Sequence, residues 1–268
     1  MNRLQVDFIK IVRDDGRSRL QSRDCGYSPT RTDIERPKRA FAASLKEPYS
    51  KVAVQAIHLA EIATAEPFRP EPIVGAVYEE AAFKAALDCD VLFSCVDRPW
   101  GRYVLNAIAY AHLIPVVDGG ILARTNSLDQ IAAADWTALT AMPGRQCLEC
   151  AGQYDMNLVQ MEREGLLDDP TYIAGLPKGH LLKARANVFG FSMSCAGLQF
   201  LQMLALVLSP LGQPNPGRQI YHFVGNRMEP PQFYKCAVGC RFTNCTGKGD
   251  NAGLSVTGVP AIVTELSS

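Results

Sequence analysis

Two short pairs of cysteines, far apart in the chain, constrain the fold more than any other feature. The first pair is Cys147 and Cys150, with two residues between them, and the second is Cys236 and Cys240, with three. Two such pairs, called knuckles below, are the usual sequence form of a closed site in which four thiolates bind one zinc ion. That zinc would be structural and would tie the C-terminal segment to the core. Cys245 is an alternative ligand in place of Cys236 or Cys240.

The composition is that of a soluble globular enzyme rather than of a nucleic-acid or membrane protein. The chain has 268 residues, enough for a large core, and its net charge of zero gives no reason to expect nucleic acid or an anionic membrane as a partner. We find no run of 18 apolar residues and no apolar signal region at the N-terminus, so we expect neither a membrane span nor a signal peptide. Nine cysteines without a secretory signal indicate reduced thiols, and we expect a cytoplasmic protein.

The first half of the chain alternates strands and helices, the pattern of a parallel sheet covered on both faces. The sequence predicts strands over residues 4–12, 73–77, 91–96 and 114–117. Helices are predicted over residues 51–64, 78–87 and 102–112.

The second half has a different organisation. It predicts a strand and turn over residues 131–142, a helix over 156–167, a long apolar helix over 181–208 and a strand over 219–224. The helix over 181–208 is more apolar than a one-faced surface helix needs. We therefore expect it to be central or to be buried in a homodimer.

Two sequence strings, together with the knuckles, resemble the ThiF/MoeB/HesA superfamily of adenylyltransferases, which includes the ubiquitin-activating enzymes. Residues 88–100 read Asp-Cys-Asp-Val-Leu-Phe-Ser-Cys-Val-Asp-Arg-Pro-Trp, and residues 112–120 read His-Leu-Ile-Pro-Val-Val-Asp-Gly-Gly. The likeness covers most of the chain between Lys51 and Asp250. Members that resemble this chain use MgATP to activate the C-terminal glycine carboxylate of a ubiquitin-like or sulfur-carrier protein, and they release pyrophosphate.

The resemblance implies an α/β fold: a Rossmann-like, mostly parallel sheet with helices on both faces, plus a zinc-stapled C-terminal segment. Residues 1–145 would form a truncated nucleotide-binding region. Residues 146–268 would bind the carrier protein and hold the zinc, and the two parts would pack as one domain. The family also implies ATP, Mg²⁺ and Zn²⁺ as ligands and a homodimer as the assembly.

The resemblance assigns roles to several residues that would surround ATP. Asp97, at the end of a predicted strand, corresponds to the aspartate that holds Mg²⁺ beside the phosphates. Lys51, at the start of a predicted helix, resembles the phosphate-neutralising lysine, and Lys38 is a rival for that role. Asp7 would accept hydrogen bonds from the ribose hydroxyls. Arg19 would contact phosphate.

Three further assignments stay open. Arg17 is an alternative to Arg19, because the family's asparagine is missing from this stretch. Arg102 and Asn106 lie four residues apart on one predicted helix face, and they would brace the metal loop, touch the substrate or simply pack. Residues 151–186 contain no cysteine, so a covalent relay of the substrate is not expected, and Cys25, Cys89, Cys95 and Cys195 read as buried or incidental thiols.

One expected element is missing from the sequence. A nucleotide-binding sheet normally opens with a strand, a glycine-rich turn and a helix, and this chain has no Gly-x-Gly-x-x-Gly. The chain would then be truncated, would take the loop from another chain, or would be a degenerate relative that binds a carrier protein without catalysis. The same absence speaks against a dinucleotide-dependent oxidoreductase.

Overall fold

A computed structural model shows a mixed α/β fold built around a five-stranded sheet in the described part of the chain. The strands lie in the order β1-β2-β3-β4-β5, so neighbours in the chain are also neighbours in the sheet. The α/β class expected from the sequence is confirmed. The structure describes residues 51–64, 68, 70–73, 75–126, 131–167, 189–212 and 215–258.

In the described residues, three helices and two strands come first, and three strands and three further helices follow the second strand. The helices are α1 (Lys51–Ile62), α2 (Glu80–Leu87), α3 (Pro99–Ala111), α4 (Met156–Arg163), α5 (Phe189–Leu208) and α6 (Arg241–Asn244). The strands are β1 (Leu92–Ser94), β2 (Val116–Thr125), β3 (Ile131–Ala141), β4 (Gln219–His222) and β5 (Arg227–Met228). Short 3₁₀ turns occupy Pro210–Gly212 and Gly249–Ala252.

The described part of the sheet is mixed, whereas the sequence led us to expect a mostly parallel one. β1 and β2 run parallel, with Leu92 opposite Val116 and Ser94 opposite Asp118. Each of β3, β4 and β5 runs antiparallel to the strand before it. Residues 126–130 alone separate β2 from β3, which is too short a connection for the crossover of a dozen or more residues that a parallel partner requires.

Two predicted strands need separate comment. No strand forms in the described residues of 73–77: Gly75 adopts φ +149°, and the backbone N–H of Ala76 donates to the Glu79 carboxylate at 3.0 Å in a turn that leads into α2. The prediction of a strand from this short apolar run is therefore wrong. The strand predicted over 4–12 lies outside the described residues, as do residues 181–188 of the long helix.

α3 covers one face of the sheet, and its start is fixed by two local features. Pro99 occupies the first turn, where its missing N–H breaks no helical bond. The N–H of Trp100 donates to the fully buried carboxylate of Glu162 at 2.8 Å, which also places a negative charge at the positive end of the helix. Most of α3 is buried, so this helix forms the centre of the larger core with Val116, Leu139 and their neighbours.

α5 covers the opposite face, so helices flank both faces as expected. Its contacts to the sheet include two buried glutamines. Gln199 donates to the carbonyls of Ser94 and Val117, and Gln202 donates to the carbonyl of Gly217. A Cβ on Gly119 would overlap the Gln199 side chain, so glycine is required there for α5 to approach β2.

Candidate metal centre and strand-end site

The two knuckles meet in space and form a four-thiolate cluster. The Sγ atoms of Cys147, Cys150, Cys236 and Cys240 all lie within 4.8 Å of one another, and Cys147 and Cys240 are 3.7 Å apart. Four sulfurs bound tetrahedrally to zinc at about 2.3 Å would stand about 3.8 Å apart. The donor set and its spacing therefore fit a zinc ion. The four cysteines that the sequence predicted as ligands do come together, in a cluster able to hold a metal ion.

Backbone N–H groups point at the sulfurs of the cluster. The N–H of Cys147 donates to Cys236 Sγ at 3.1 Å, and that of Cys150 donates to Cys147 Sγ at 3.3 Å. The second knuckle turns at Gly239, whose φ of +78° favours glycine, and Cys240 then starts α6. Donors aimed at sulfur stabilise thiolates, which are the form that binds metal.

Because the cluster is partly buried, a bound cation would stabilise its thiolates. Burial raises the pKa of Cys147 far above the ordinary range of a thiol. Burial also opposes ionisation of Cys240, but the N–H groups of Thr243 and Phe242, with the neighbouring thiols, outweigh it and lower the pKa of Cys240. A dication held by all four sulfurs would compensate the desolvation of the buried thiolates.

Side chains from α3 brace the cluster from behind. Asn106 is fully buried: its Oδ1 accepts from the N–H of Leu148 inside the first knuckle, and its Nδ2 donates to the Tyr154 hydroxyl at 3.1 Å. Tyr110 donates to the carbonyl of Arg145 at 2.7 Å and lies 3.5 Å from Cys236 Sγ. Partners of this kind orient metal ligands.

Cys245, the alternative ligand, lies outside the cluster. Its Sγ donates instead to the carbonyl of Phe242 at 3.2 Å. Of the other cysteines, Cys89 and Cys195 are buried as expected, Cys95 is exposed, and Cys25 lies outside the described residues. None of the described cysteines forms a disulfide.

Asp97 occupies the position predicted for it, beyond the carboxyl end of β1. Its side chain is exposed, in the loop that joins β1 to α3. The residue at the N-cap of α3 is Arg98. An exposed carboxylate beside the end of a strand that pairs in parallel is where open α/β sheets bind ligands.

Three groups hold the Arg102 side chain. Its Nη1 donates to the carbonyl of Gln153 at 2.7 Å, and its Nη2 donates to that of Gly119 at 2.9 Å. Its Nε lies 3.5 Å from Oδ1 of Asp118, a fully buried carboxylate on β2. The guanidinium is therefore a fixed cation whose orientation β2 and the first knuckle set together.

The remaining predicted residues are described incompletely or not at all. Lys51 begins α1, as the sequence predicted, but its side chain is not among the described ones. The rest lie outside the described residues: Asp7, Arg17, Arg19 and Lys38. The structure therefore brings the four cysteines together. Asp97 and Arg102 are close to one another in the sequence, and the positions of the other predicted residues are not tested.

Sequence reasoning missed two buried carboxylates, Asp118 and Glu162. Asp118 begins the Asp-Gly-Gly string inside β2, and a charged residue amid apolar ones was the available signal. Glu162 gave no signal, because it reads as a surface residue of an amphipathic helix.

Comparison with protein-family models and with curated proteins found no match to this chain.

Proposed function

We propose that this chain is a ThiF-type adenylyltransferase that activates the C-terminal carboxylate of a ubiquitin-like or sulfur-carrier protein ending in Gly-Gly. In the reaction, a carboxylate oxygen of the carrier attacks the α-phosphorus of ATP. The bond from the α-phosphorus to the bridging oxygen breaks, and pyrophosphate leaves. The product is an acyl-adenylate on the carrier protein.

The observation that carries the proposal is the position of Asp97. The reaction joins two anions, so it needs a metal ion and fixed cations near the α-phosphate. Asp97 supplies an exposed carboxylate at the carboxyl end of β1. Oxygen ligands of this kind suit Mg²⁺, which usually binds through one or two carboxylates together with substrate phosphates. Bound Mg²⁺ would neutralise charge on the phosphates.

Arg102 acts in this proposal as a preorganised cation. Two backbone carbonyls and the Asp118 carboxylate hold its guanidinium in place, so it would lose little entropy when it meets a charged substrate. Lys51, at the start of α1, would neutralise phosphate charge, with Lys38 as its rival. Asp7 and Arg19, or Arg17 in its place, would bind ribose and phosphate on the strength of the resemblance alone.

We propose for Asn106 a role other than the substrate contact that the sequence left open. Its amide oxygen and its amide nitrogen both have protein partners in the first knuckle and in Tyr154. We therefore propose it as a positioning residue for the metal centre. The zinc would be structural. Residues 146–268 would carry the groove for the carrier protein. The enzyme would be cytoplasmic and would have a Rossmann-like core.

A second candidate function is a catalytically degenerate module that docks a carrier protein without adenylating it. The observation that favours it is that Arg102 already satisfies its Nη groups with protein carbonyls. A cation so committed has fewer donors left for phosphate. This module would keep the zinc cluster and the carrier groove and would lack ATP chemistry.

ATP–pyrophosphate exchange with the zinc-loaded chain, MgATP and candidate carrier proteins ending in Gly-Gly distinguishes the two candidates. We expect exchange that falls at least 100-fold in Asp97→Ala, because the metal ligand is lost. Asp90→Ala is the matched control, because Asp90 is also exposed but lies at the opposite end of β1. Equal exchange in both variants would contradict the role of Asp97, and carrier binding without exchange would establish the docking module.

A further inference from the structure

The four-thiolate cluster has a buried side and a side that solvent reaches. Cys147 is fully buried, whereas the other three cysteines of the cluster are partly exposed. Residues 237–239, which lie between the two cysteines of the second knuckle, are all exposed. A small solute therefore reaches the cluster through the second knuckle, and the first knuckle keeps one of its sulfurs out of contact with solvent.

Contacts on the core side of the cluster hold Cys236, the first cysteine of the exposed knuckle. Its Sγ accepts from the N–H of Cys147 at 3.1 Å and lies 3.6 Å from the carbonyl oxygen of Arg145. It also lies 3.5 Å from the hydroxyl of Tyr110, a fully buried residue of α3. Cys240 is the other cysteine of this knuckle, and we expect it to be the one that a dissolved oxidant meets first.

The sulfur of Cys240 lies close to that of the buried Cys147. The two Sγ atoms are 3.7 Å apart, although the residues are 93 positions apart in the chain. A disulfide needs a sulfur–sulfur distance of about 2.05 Å, so the two atoms would have to approach by less than about 2 Å. This pair also joins one knuckle to the other, as a metal ion bound by all four sulfurs would.

We propose that hydrogen peroxide converts Cys147 and Cys240 into a reversible disulfide, which is an alternative to a bound metal ion. The Cys240 thiolate attacks one oxygen of the peroxide; the O–O bond breaks, hydroxide leaves and Cys240 becomes a sulfenic acid. The Cys147 thiolate then attacks the Cys240 sulfur; the S–S bond forms, the S–O bond breaks and a second hydroxide leaves. The two thiolates lose two electrons, and the peroxide gains them.

The disulfide and a structural metal ion exclude each other. The disulfide leaves only the thiolates of Cys150 and Cys236, whereas a structural zinc site uses four ligands. Both closures nevertheless join the knuckles, so the segment that carries the buried Phe242 stays attached to the core in either state. This inference is independent of the adenylation proposal, because it concerns only the cluster.

Differential alkylation of the full chain after peroxide treatment tests the pairing. Free thiols are labelled with iodoacetamide, the disulfide is then reduced, and peptide mass spectrometry locates the unlabelled cysteines. We expect Cys147 and Cys240 to escape the label and Cys150 and Cys236 to carry it. Bound zinc should slow the oxidation at least about 10-fold, since it binds only the reduced cluster, and one zinc per chain should leave as the disulfide forms. A thiol reductant should restore zinc binding.

Single variants of the metal-free chain test the order of the two steps. Cys147→Ser should stop at a sulfenic acid on Cys240, which dimedone traps, and Cys240→Ser should leave the buried Cys147 unmodified. Cys95→Ser is the matched control: Cys95 is exposed but lies outside the cluster, so this variant should form the disulfide at the wild-type rate. Circular dichroism establishes that each variant is folded. A disulfide within either knuckle, one that includes Cys150 or Cys236, or an oxidation rate that zinc does not change would overturn the inference.

Discussion

Asn106 illustrates how one buried side chain on α3 braces the four-thiolate cluster. It lies on α3, one turn beyond Arg102, and its amide accepts from Leu148 N–H and donates to Tyr154. We predict that Asn106→Ala lowers the free energy of unfolding by about 2–4 kcal/mol, because two buried groups lose their partners. Tyr154→Phe removes one of the two bonds and should cost about 1 kcal/mol. Urea denaturation of the zinc-loaded proteins measures both.

The same variants separate the bracing role of Asn106 from a nucleotide contact. If Asn106 braces the first knuckle, its replacement by alanine lowers stability and weakens zinc binding, because the knuckle loses the bond that orients it. If Asn106 instead contacts the nucleotide, the same replacement weakens MgATP binding and leaves the free energy of unfolding almost unchanged. A change in stability below 0.5 kcal/mol in Asn106→Ala would therefore contradict the bracing role.

A functional residue could be predicted from the sequence when the groups that define its role lie close to it in the chain. Cysteine spacing predicted the four-thiolate cluster because each knuckle is a short turn that presents both of its thiols on its own. Asp97 was predictable because a strand end follows from local pattern. The partners of Arg102 were not, because the carbonyls of Gly119 and Gln153 reach it only once β2 and the first knuckle pack around α3.

At the scale of elements, one histidine links three strands of the sheet. His222 on β4 contacts Asp135 on β3 through Nδ1 and Glu229, just after β5, through Nε2, both at 2.7 Å. Only the protonated imidazole donates at both nitrogens, and the carboxylates of Glu229 and Asp135 raise the pKa of His222. Its stabilisation is therefore complete below the unfolded pKa of about 6.5 and is lost as pH rises through the raised folded pKa.

We predict a small, pH-dependent effect of His222→Gln on the stability of this sheet edge. The wild type should exceed the variant by about 0.5–1 kcal/mol at pH 5.5, because the site is partly exposed, and by nearly nothing at pH 9. Denaturation curves across that range measure the difference. The double variant Asp135→Asn with Glu229→Gln should abolish the same pH dependence, and a difference that grows with pH would contradict the link.

The elements themselves were predicted well, and their directions were not. Hydrophobic periodicity placed β1, α3, β3 and β4 close to their observed bounds. The mixed direction of the sheet follows instead from a connection length. Residues 121–125 extend β2 almost to β3, so the two strands form an antiparallel ribbon, whereas the strand predicted over 114–117 left room for a crossover.

At the scale of the whole molecule, the four-thiolate cluster joins two parts of the chain that are distant in sequence. The second knuckle leads into α6 and the turn after it, a segment with little regular structure of its own. Phe242 on α6 is fully buried, with its ring about 6 Å from the rings of Tyr103 and Tyr110 on α3. A metal ion in the cluster would hold the C-terminal segment on the core together with this aromatic contact, so removal of the metal should loosen the segment and weaken the whole fold.

We predict that a strong chelator lowers the melting temperature by at least roughly 10 °C and that added zinc restores it, because a structural site contributes several kcal/mol to folding. Cys236→Ser should lose the equimolar zinc that the wild type holds, as measured by mass spectrometry of the metal. Cys245→Ser is the matched control: it changes a nearby buried cysteine whose Sγ bonds to the Phe242 carbonyl rather than facing the cluster. Equimolar zinc in Cys236→Ser and loss of zinc in Cys245→Ser would assign the fourth ligand to Cys245.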